Sequence, residues 1–258
     1  MDAPDAFFQV PLTRHPTSQG EVELPIRYHE VRVAILLFEV DAGAATTLLA
    51  GTGLEPALGR RGRATAGLAL YDYRVTSIGP YHEVGTAIFA QRIGERVRAG
   101  VLDTLRPPSH RKVGVHVVDL PVSTPAANAA GRELWGYPKF VTELPMQLGT
   151  RELFSAVRDP DGRGDICVAR GRLGSWLPAP PLSLVTYSVR EGALVRTHVT
   201  VRGRTRLHGA GSVRLEVGGS PHPMARRLER LGLNDAAPFA VLATERFQSL
   251  LHAGTVVG

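Results

Sequence analysis

The chain is built mostly of short stretches that alternate apolar and polar residues or run through β-branched ones. They cover residues 31–40, 64–78, 84–91, 113–119, 153–158, 166–173, 184–190 and 194–201. Such stretches fit pleated strands with one buried face, and turns such as Asp159-Pro160-Asp161-Gly162 divide them. Three stretches have helical patterning instead. Asp41 caps 42–50, which Gly51 and Gly53 stop; Ser123 or Thr124 with Pro125 opens a helix to about Leu134; and Ser220-Pro221 opens one that carries Met224, Leu228 and Leu231 and ends at Gly232. Strands and helices do not alternate regularly. The expected class is therefore mainly β (α+β), an antiparallel barrel or sandwich with a few peripheral helices. No repeat or low-complexity linker divides the chain, so residues 1–258 are read as a single domain whose first twenty residues are loosely held.

Composition narrows the function classes. The longest apolar run, Val33 to Phe38, is far short of the roughly 20 residues a membrane-crossing helix needs. The first residues, Met1-Asp2-Ala3-Pro4-Asp5, are acidic and lack the apolar core of a secretory leader, so the expectation is a cytoplasmic protein with no membrane partner. Net charge is +6, but the cations are scattered. Clusters such as Arg202-Gly203-Arg204-Thr205-Arg206 lack interleaved aromatics, which argues for solvated surface and against a nucleic-acid partner. The single cysteine, Cys167, lies in an apolar stretch and reads as an inert buried thiol. No glycine-rich phosphate loop, dinucleotide fingerprint, metal-ligand spacing among the nine histidines, or nucleophile elbow around Ser175 is present, so neither cofactor nor metal is expected. Of the 30 lysines and arginines, only Lys112 and Lys139 are lysines. Arginine stays protonated, whereas a lysine amine can become a neutral nucleophile, so each lysine is a candidate for chemistry.

Lys139 ends the run Gly131-Arg132-Glu133-Leu134-Trp135-Gly136-Tyr137-Pro138-Lys139, followed by Phe140. Pro138 fixes its own φ and disfavours a helical Tyr137, which aims Lys139 in one direction. A solvated lysine amine, with a pKa near ~10.4, is almost wholly protonated at neutral pH. Apolar surroundings supplied by Trp135, Tyr137 and Phe140, which also read as substrate-binding residues, are the available means of favouring the neutral form. The run resembles the Schiff-base lysine motif of the acetoacetate decarboxylase family, in which Gly-Arg-Glu precedes Tyr-Pro-Lys. Gly79-Pro80-Tyr81-His82-Glu83 resembles that family's upstream tyrosine and glutamate segment, and weaker likenesses at 211–215 and 222–225 extend the match over most of the chain.

The resemblance implies an antiparallel, barrel-like acetoacetate decarboxylase fold, a homo-oligomer and a cofactor-independent lyase acting on a small keto acid through an imine at Lys139. Glu83 and Glu133 are then the candidate acids that move protons near the amine, and Arg27 or Arg32 is the candidate partner of a substrate carboxylate. Two departures bear on the reaction. Phe140 stands where the family's best-known decarboxylases carry a second lysine, and Ala64-Thr65-Ala66-Gly67-Leu68-Ala69 lacks a further acid those enzymes have. Three readings follow: decarboxylation of an acetoacetate-like β-keto acid, aldol condensation and dehydration from pyruvate or a related keto acid, or a barrel that binds a small acid without turnover.

Overall fold

A computed structural model describes residues 5–95, 97, 103, 106, 107, 110–180 and 184–257. A hairpin of β1 (Thr13–Thr17) and β2 (Gly20–Leu24) leads into the long β3 (Ile26–Val40), followed by α1 (Ala42–Leu49) and the short β4 (Leu54–Pro56). Next come β5 (Ala64–Thr76), β6 (Tyr81–Arg92), β7 (Gly114–Val122), α2 (Pro125–Trp135) and β8 (Lys139–Val141). The chain then forms β9 (Met146–Leu148), β10 (Glu152–Arg158), β11 (Asp165–Arg172), β12 (Trp176–Ala179), β13 (Leu184–Arg190), β14 (Ala193–Arg202), β15 (Thr205–His208) and β16 (Arg214–Val217). It ends with α3 (Pro223–Arg230), β17 (Ala240–Leu251) and β18 (Thr255–Val256).

Seven strands close on themselves in the order β17-β3-β5-β6-β7-β13-β14 and back to β17; every pairing is antiparallel except β7 with β13. Closure leaves these strands no free edge and encloses an interior. Side chains alternate along each strand, so each strand divides its residues between two environments. On β5, Ala64, Ala66, Leu68 and Leu70 point outward into the main core, while Gly67, Ala69, Tyr71 and Tyr73 face the barrel interior. A four-stranded sheet, β16-β11-β10-β9, covers the outer face together with α1 and α3. Leu153, Val157, Ile166 and Leu215 of that sheet meet Leu36, Leu68 and Ile88 of the barrel, with Leu49, Met224 and Leu228 from the helices. Each such side chain contributes about 1.5–3 kcal/mol by leaving water. Asp119 of β7 accepts two bonds from the Arg227 guanidinium, which fastens α3 to the barrel wall.

The fold is mainly β, as the strand-rich pattern implies. Asp41 and Thr124 cap α1 and α2 by accepting from Ala44 N and Ala127 N. The third helix starts two residues later than expected: His222 Nδ1 takes the capping role, and Ser220 turns to the Asp159 carboxylate. β17 has no counterpart among the expected strands, because bulges between Thr244 and Phe247 and between Phe247 and Ser249 break its alternation. Of the first twenty residues, 13–17 and 20 pair in the opening hairpin and Asp5 bonds Arg202; residues 1–4 lie outside the described residues.

His116 of β7 is buried, with no hydrogen-bond partner for Nδ1, and burial pushes its pKa from 6.5 down to about 4. The unfolded chain takes up this proton near pH 6.5, whereas the folded chain resists it until about pH 4. The stability that depends on neutral His116 is therefore whole above about pH 6.5 and falls as the pH drops toward 4, by up to about 3 kcal/mol. Urea melts at pH 7.5 and 4.5 should show a smaller acid loss in His116→Gln than in the wild type; equal losses would exclude His116 as a source.

Candidate active site

The lysine is placed by the way α2 ends. Gly136 adopts a left-handed conformation, φ 69°, and its N–H bonds Arg132 O at 3.0 Å while Tyr137 N bonds Gly131 O at 3.1 Å. That pattern closes a helix at a glycine. A Cβ at 136 would also strike the Val189 carbonyl and the Arg190 backbone. Pro138 then turns the chain, with Lys139 N donating to Tyr137 O at 2.7 Å, and β8 pairs in parallel with β7, setting Lys139 opposite Leu120. Arg132 Nη1 donates to Lys139 O at 2.8 Å and ties the strand back to the helix. The lysine side chain runs beneath α2 over Gly131, where a Cβ would overlap its Cδ and Cε.

Lys139 Nζ meets Glu83 Oε2 at 2.5 Å, and both residues are 6% exposed. Glu83 comes from β6 and points inward between Tyr81 and Gly85. The pair lies at a cavity of about 120 Å³ inside the barrel, which Tyr28, Tyr71, Tyr73 and Tyr137 also line, with aliphatic and small residues such as Ile35, Val117 and Leu251 elsewhere. Tyr73 donates to Glu83 Oε1 at 3.3 Å, Tyr28 and Tyr81 share a hydroxyl contact of 3.3 Å, and Tyr137 bonds Thr186 Oγ1 at 2.7 Å. Burial, aided by the Glu83 charge, raises the Tyr28, Tyr71 and Tyr73 phenols above their ordinary range. Burial also pushes Tyr137 up to about 12. These phenols stay protonated at neutral pH and can donate hydrogen bonds but not act as bases.

A buried lone charge is costly, whereas a touching ammonium and carboxylate carry no net charge. One proton of the pair can be placed on either partner. With that proton on Nζ it is an ion pair; with the proton on Oε2 it is a neutral amine beside a carboxylic acid. The second arrangement presents a nucleophile and a proton donor in direct contact.

Of the residues singled out in the sequence, Lys139, Glu83 and Tyr137 meet at this cavity and the others do not. Glu133 is exposed, and its carboxylate accepts from Ser18 N at 3.0 Å and Ser18 Oγ at 2.5 Å; those bonds hold it below the usual carboxylate range. It faces away from Lys139 because α2 turns it toward the β1–β2 hairpin. Arg27 is half-buried and paired with Glu23 at 2.7 Å, and Arg32 donates to Leu148 O at 3.2 Å in a groove outside the barrel. No arginine lines the cavity among the described residues. Trp135 lies behind the cavity wall, stacked on Tyr137 with centroids 6.0 Å apart and bonded to His252 O at 2.9 Å. Phe140 follows Lys139 in a strand and so points to the opposite face, against His222 and the main core. Tyr28, Tyr71 and Tyr73 line the cavity without having been singled out in the sequence. A signal for two of them exists, because Tyr71 and Tyr73 share the two-residue spacing of Tyr81 and Glu83 across one hairpin and pair with them in register.

Solved structures with the same fold include an acetoacetate decarboxylase from Legionella pneumophila. It matches with a TM-score of 0.63 and 19% identity over 97% of this chain and 93% of its own. The enduracididine biosynthesis enzyme MppR, solved with pyruvate, matches with a TM-score of 0.61 and 14% identity over 92% of each chain. An acetoacetate decarboxylase-like enzyme from Sphingomonas wittichii matches with a TM-score of 0.59 and 12% identity over 92% of this chain and 94% of its own. At these identities the likeness is one of fold. No curated protein matches the chain by sequence. The family model for acetoacetate decarboxylase matches residues 9–228, a span that holds both halves of the buried Lys139–Glu83 pair, and the chain belongs to the acetoacetate decarboxylase family.

Proposed function

We propose that this chain is a cofactor-independent lyase that forms an imine between Lys139 and the carbonyl of a small β-keto acid and releases carbon dioxide. The observation that carries this reading is the 2.5 Å contact between Lys139 Nζ and Glu83 Oε2 inside a closed barrel. With the shared proton on Glu83, the neutral amine adds to the ketone carbon. Proton transfer through Glu83 lets the carbinol oxygen leave as water, and the resulting iminium is an electron sink. The bond to the carboxylate then breaks, its electron pair forms the enamine, and carbon dioxide departs. Glu83 returns a proton to the enamine carbon, and water hydrolyses the iminium to free Lys139 and the ketone. The apolar cavity assists, since a carboxylate surrounded by aliphatic walls is poorly solvated and its loss as neutral carbon dioxide removes that charge.

A second reading keeps the imine and replaces decarboxylation with aldol condensation and dehydration. Two observations favour it. The interior positions of β5 before the tyrosines are Gly67 and Ala69, so the further acid of the best-known decarboxylases has no counterpart there; and MppR, alike in fold, is solved both with pyruvate and with a condensation product of pyruvate and an aldehyde. Product analysis by NMR separates the two: acetoacetate and homologous β-keto acids should be decarboxylated, whereas condensation with pyruvate and aldehydes as the sole activity would select the second. Lys139→Arg should lose at least about 1,000-fold, and Glu83→Gln about 100-fold to 10,000-fold. Tight binding of keto acids with no turnover of either kind would leave a binding barrel.

Gly131 gives a test of how the lysine is seated. Glycine to alanine in a helix interior ordinarily stabilises by about 1 kcal/mol. At 131 the added methyl group overlaps the Lys139 side chain. Gly131→Ala should therefore lower the melting temperature and cut turnover at least about ten-fold, in proportion to the displaced amine. A raised melting temperature with full turnover would show that Lys139 does not need this path.

A further inference from the structure

We propose that Tyr73 is a positioning residue that fixes which oxygen of Glu83 carries the proton, an inference that rests on the imine reading above. The two carboxylate oxygens have different partners: Oε2 faces Lys139 Nζ at 2.5 Å, and Oε1 accepts the Tyr73 hydroxyl at 3.3 Å. In the proposed reaction, Glu83 takes and returns protons at the amine and at the substrate carbon bound next to it, and Oε2 is the oxygen that meets the amine. Donation by Tyr73 occupies Oε1, leaves Oε2 as the proton-carrying atom and favours the ionised carboxylate.

The phenol is held for this task. Its ring lies between those of Tyr28 and Tyr81, with centroids 4.6 and 4.5 Å away, and is stacked on Tyr71 at 5.2 Å. Burial holds its pKa well above 10, so the hydroxyl remains a donor throughout the working pH range. The 3.3 Å bond is longer than the usual ~2.7–2.8 Å for such a pair, and active-site hydrogen bonds commonly shorten as the complex forms. Among the described residues, the titratable groups facing Glu83 are Lys139 from β8, Tyr71 and Tyr73 from β5, Tyr28 from β3, Tyr81 from its own strand and Tyr137 from the turn before β8. Of these only Tyr73 and Lys139 bond its carboxylate.

Exchange of the methyl protons of acetone in deuterium oxide, followed by NMR against pH, tests the proposal. Acetone can form the imine and enamine but cannot decarboxylate. Wild type should catalyse an exchange that Lys139→Arg abolishes. Tyr73→Phe should keep the Lys139-dependent exchange, move its acid limb upward by about one pH unit, and so lose about ten-fold in rate below the limb. Replacement of Tyr73 by 3,5-difluorotyrosine, a more acidic donor of nearly the same shape, should move the limb downward and covers the case in which Tyr73→Phe does not fold. A limb that neither variant moves would overturn the role of Tyr73 and leave the imine reading standing. Wild-type exchange no faster than that of Lys139→Arg would overturn the imine reading, and this inference with it.

Discussion

A buried amine–carboxylate pair inside a barrel dictates much of the surrounding structure. Neither Lys139 nor Glu83 tolerates burial alone, and the two together are acceptable only at short range. That requirement explains why their side chains arrive from different elements along fixed paths. Glu83 is set by the register of β6 against β5, and Lys139 by the glycine that ends α2, the proline that follows and the parallel pairing of β8 with β7. Gly131 is part of the same arrangement, since the lysine chain passes where a larger residue would stand. The barrel does not merely enclose the pair. Its largely apolar walls also lower the local polarity around the pair, which strengthens the attraction between amine and carboxylate.

The tyrosines give the cavity its second property. They supply hydroxyl donors in a space that otherwise offers few, and burial keeps them protonated. In the proposed reaction, proton movement among the cavity groups therefore falls to Lys139 and Glu83. The stacking of the tyrosines across β3, β5 and β6 also fills the end of the interior next to the pair, so the ring that bonds the carboxylate and its neighbours help to limit the volume left in the cavity.

Much of this is legible in the sequence wherever local chemistry decides the outcome. The alternation of β3, β5, β6 and β14 marks them as strands, Asp41 and Thr124 mark helix starts, and the glycine and proline around Tyr137 mark a directed turn. What escapes depends on distant pairing. β17 closes the barrel, yet its bulges hide its period, and β8, β9 and β12 are too short to show one. Nearness in sequence also misleads at the site. Glu133 shares the lysine motif, but six residues of helix and turn send it to Ser18, and Phe140, adjacent to Lys139, faces the opposite side of its strand. Arg27 and Arg32 lie on a barrel strand and still point elsewhere, because the side facing the cavity is set by register and not by composition.

Covalent chemistry at Lys139 can be tested against an internal control, because Lys112 is the only other lysine of the chain. Borohydride reduction during incubation with a β-keto acid or pyruvate, followed by peptide mass spectrometry, would locate any imine. A substrate-derived mass is expected on the peptide that carries Lys139 and none on the peptide that carries Lys112. Product formation with Lys139 unmodified throughout would exclude the imine.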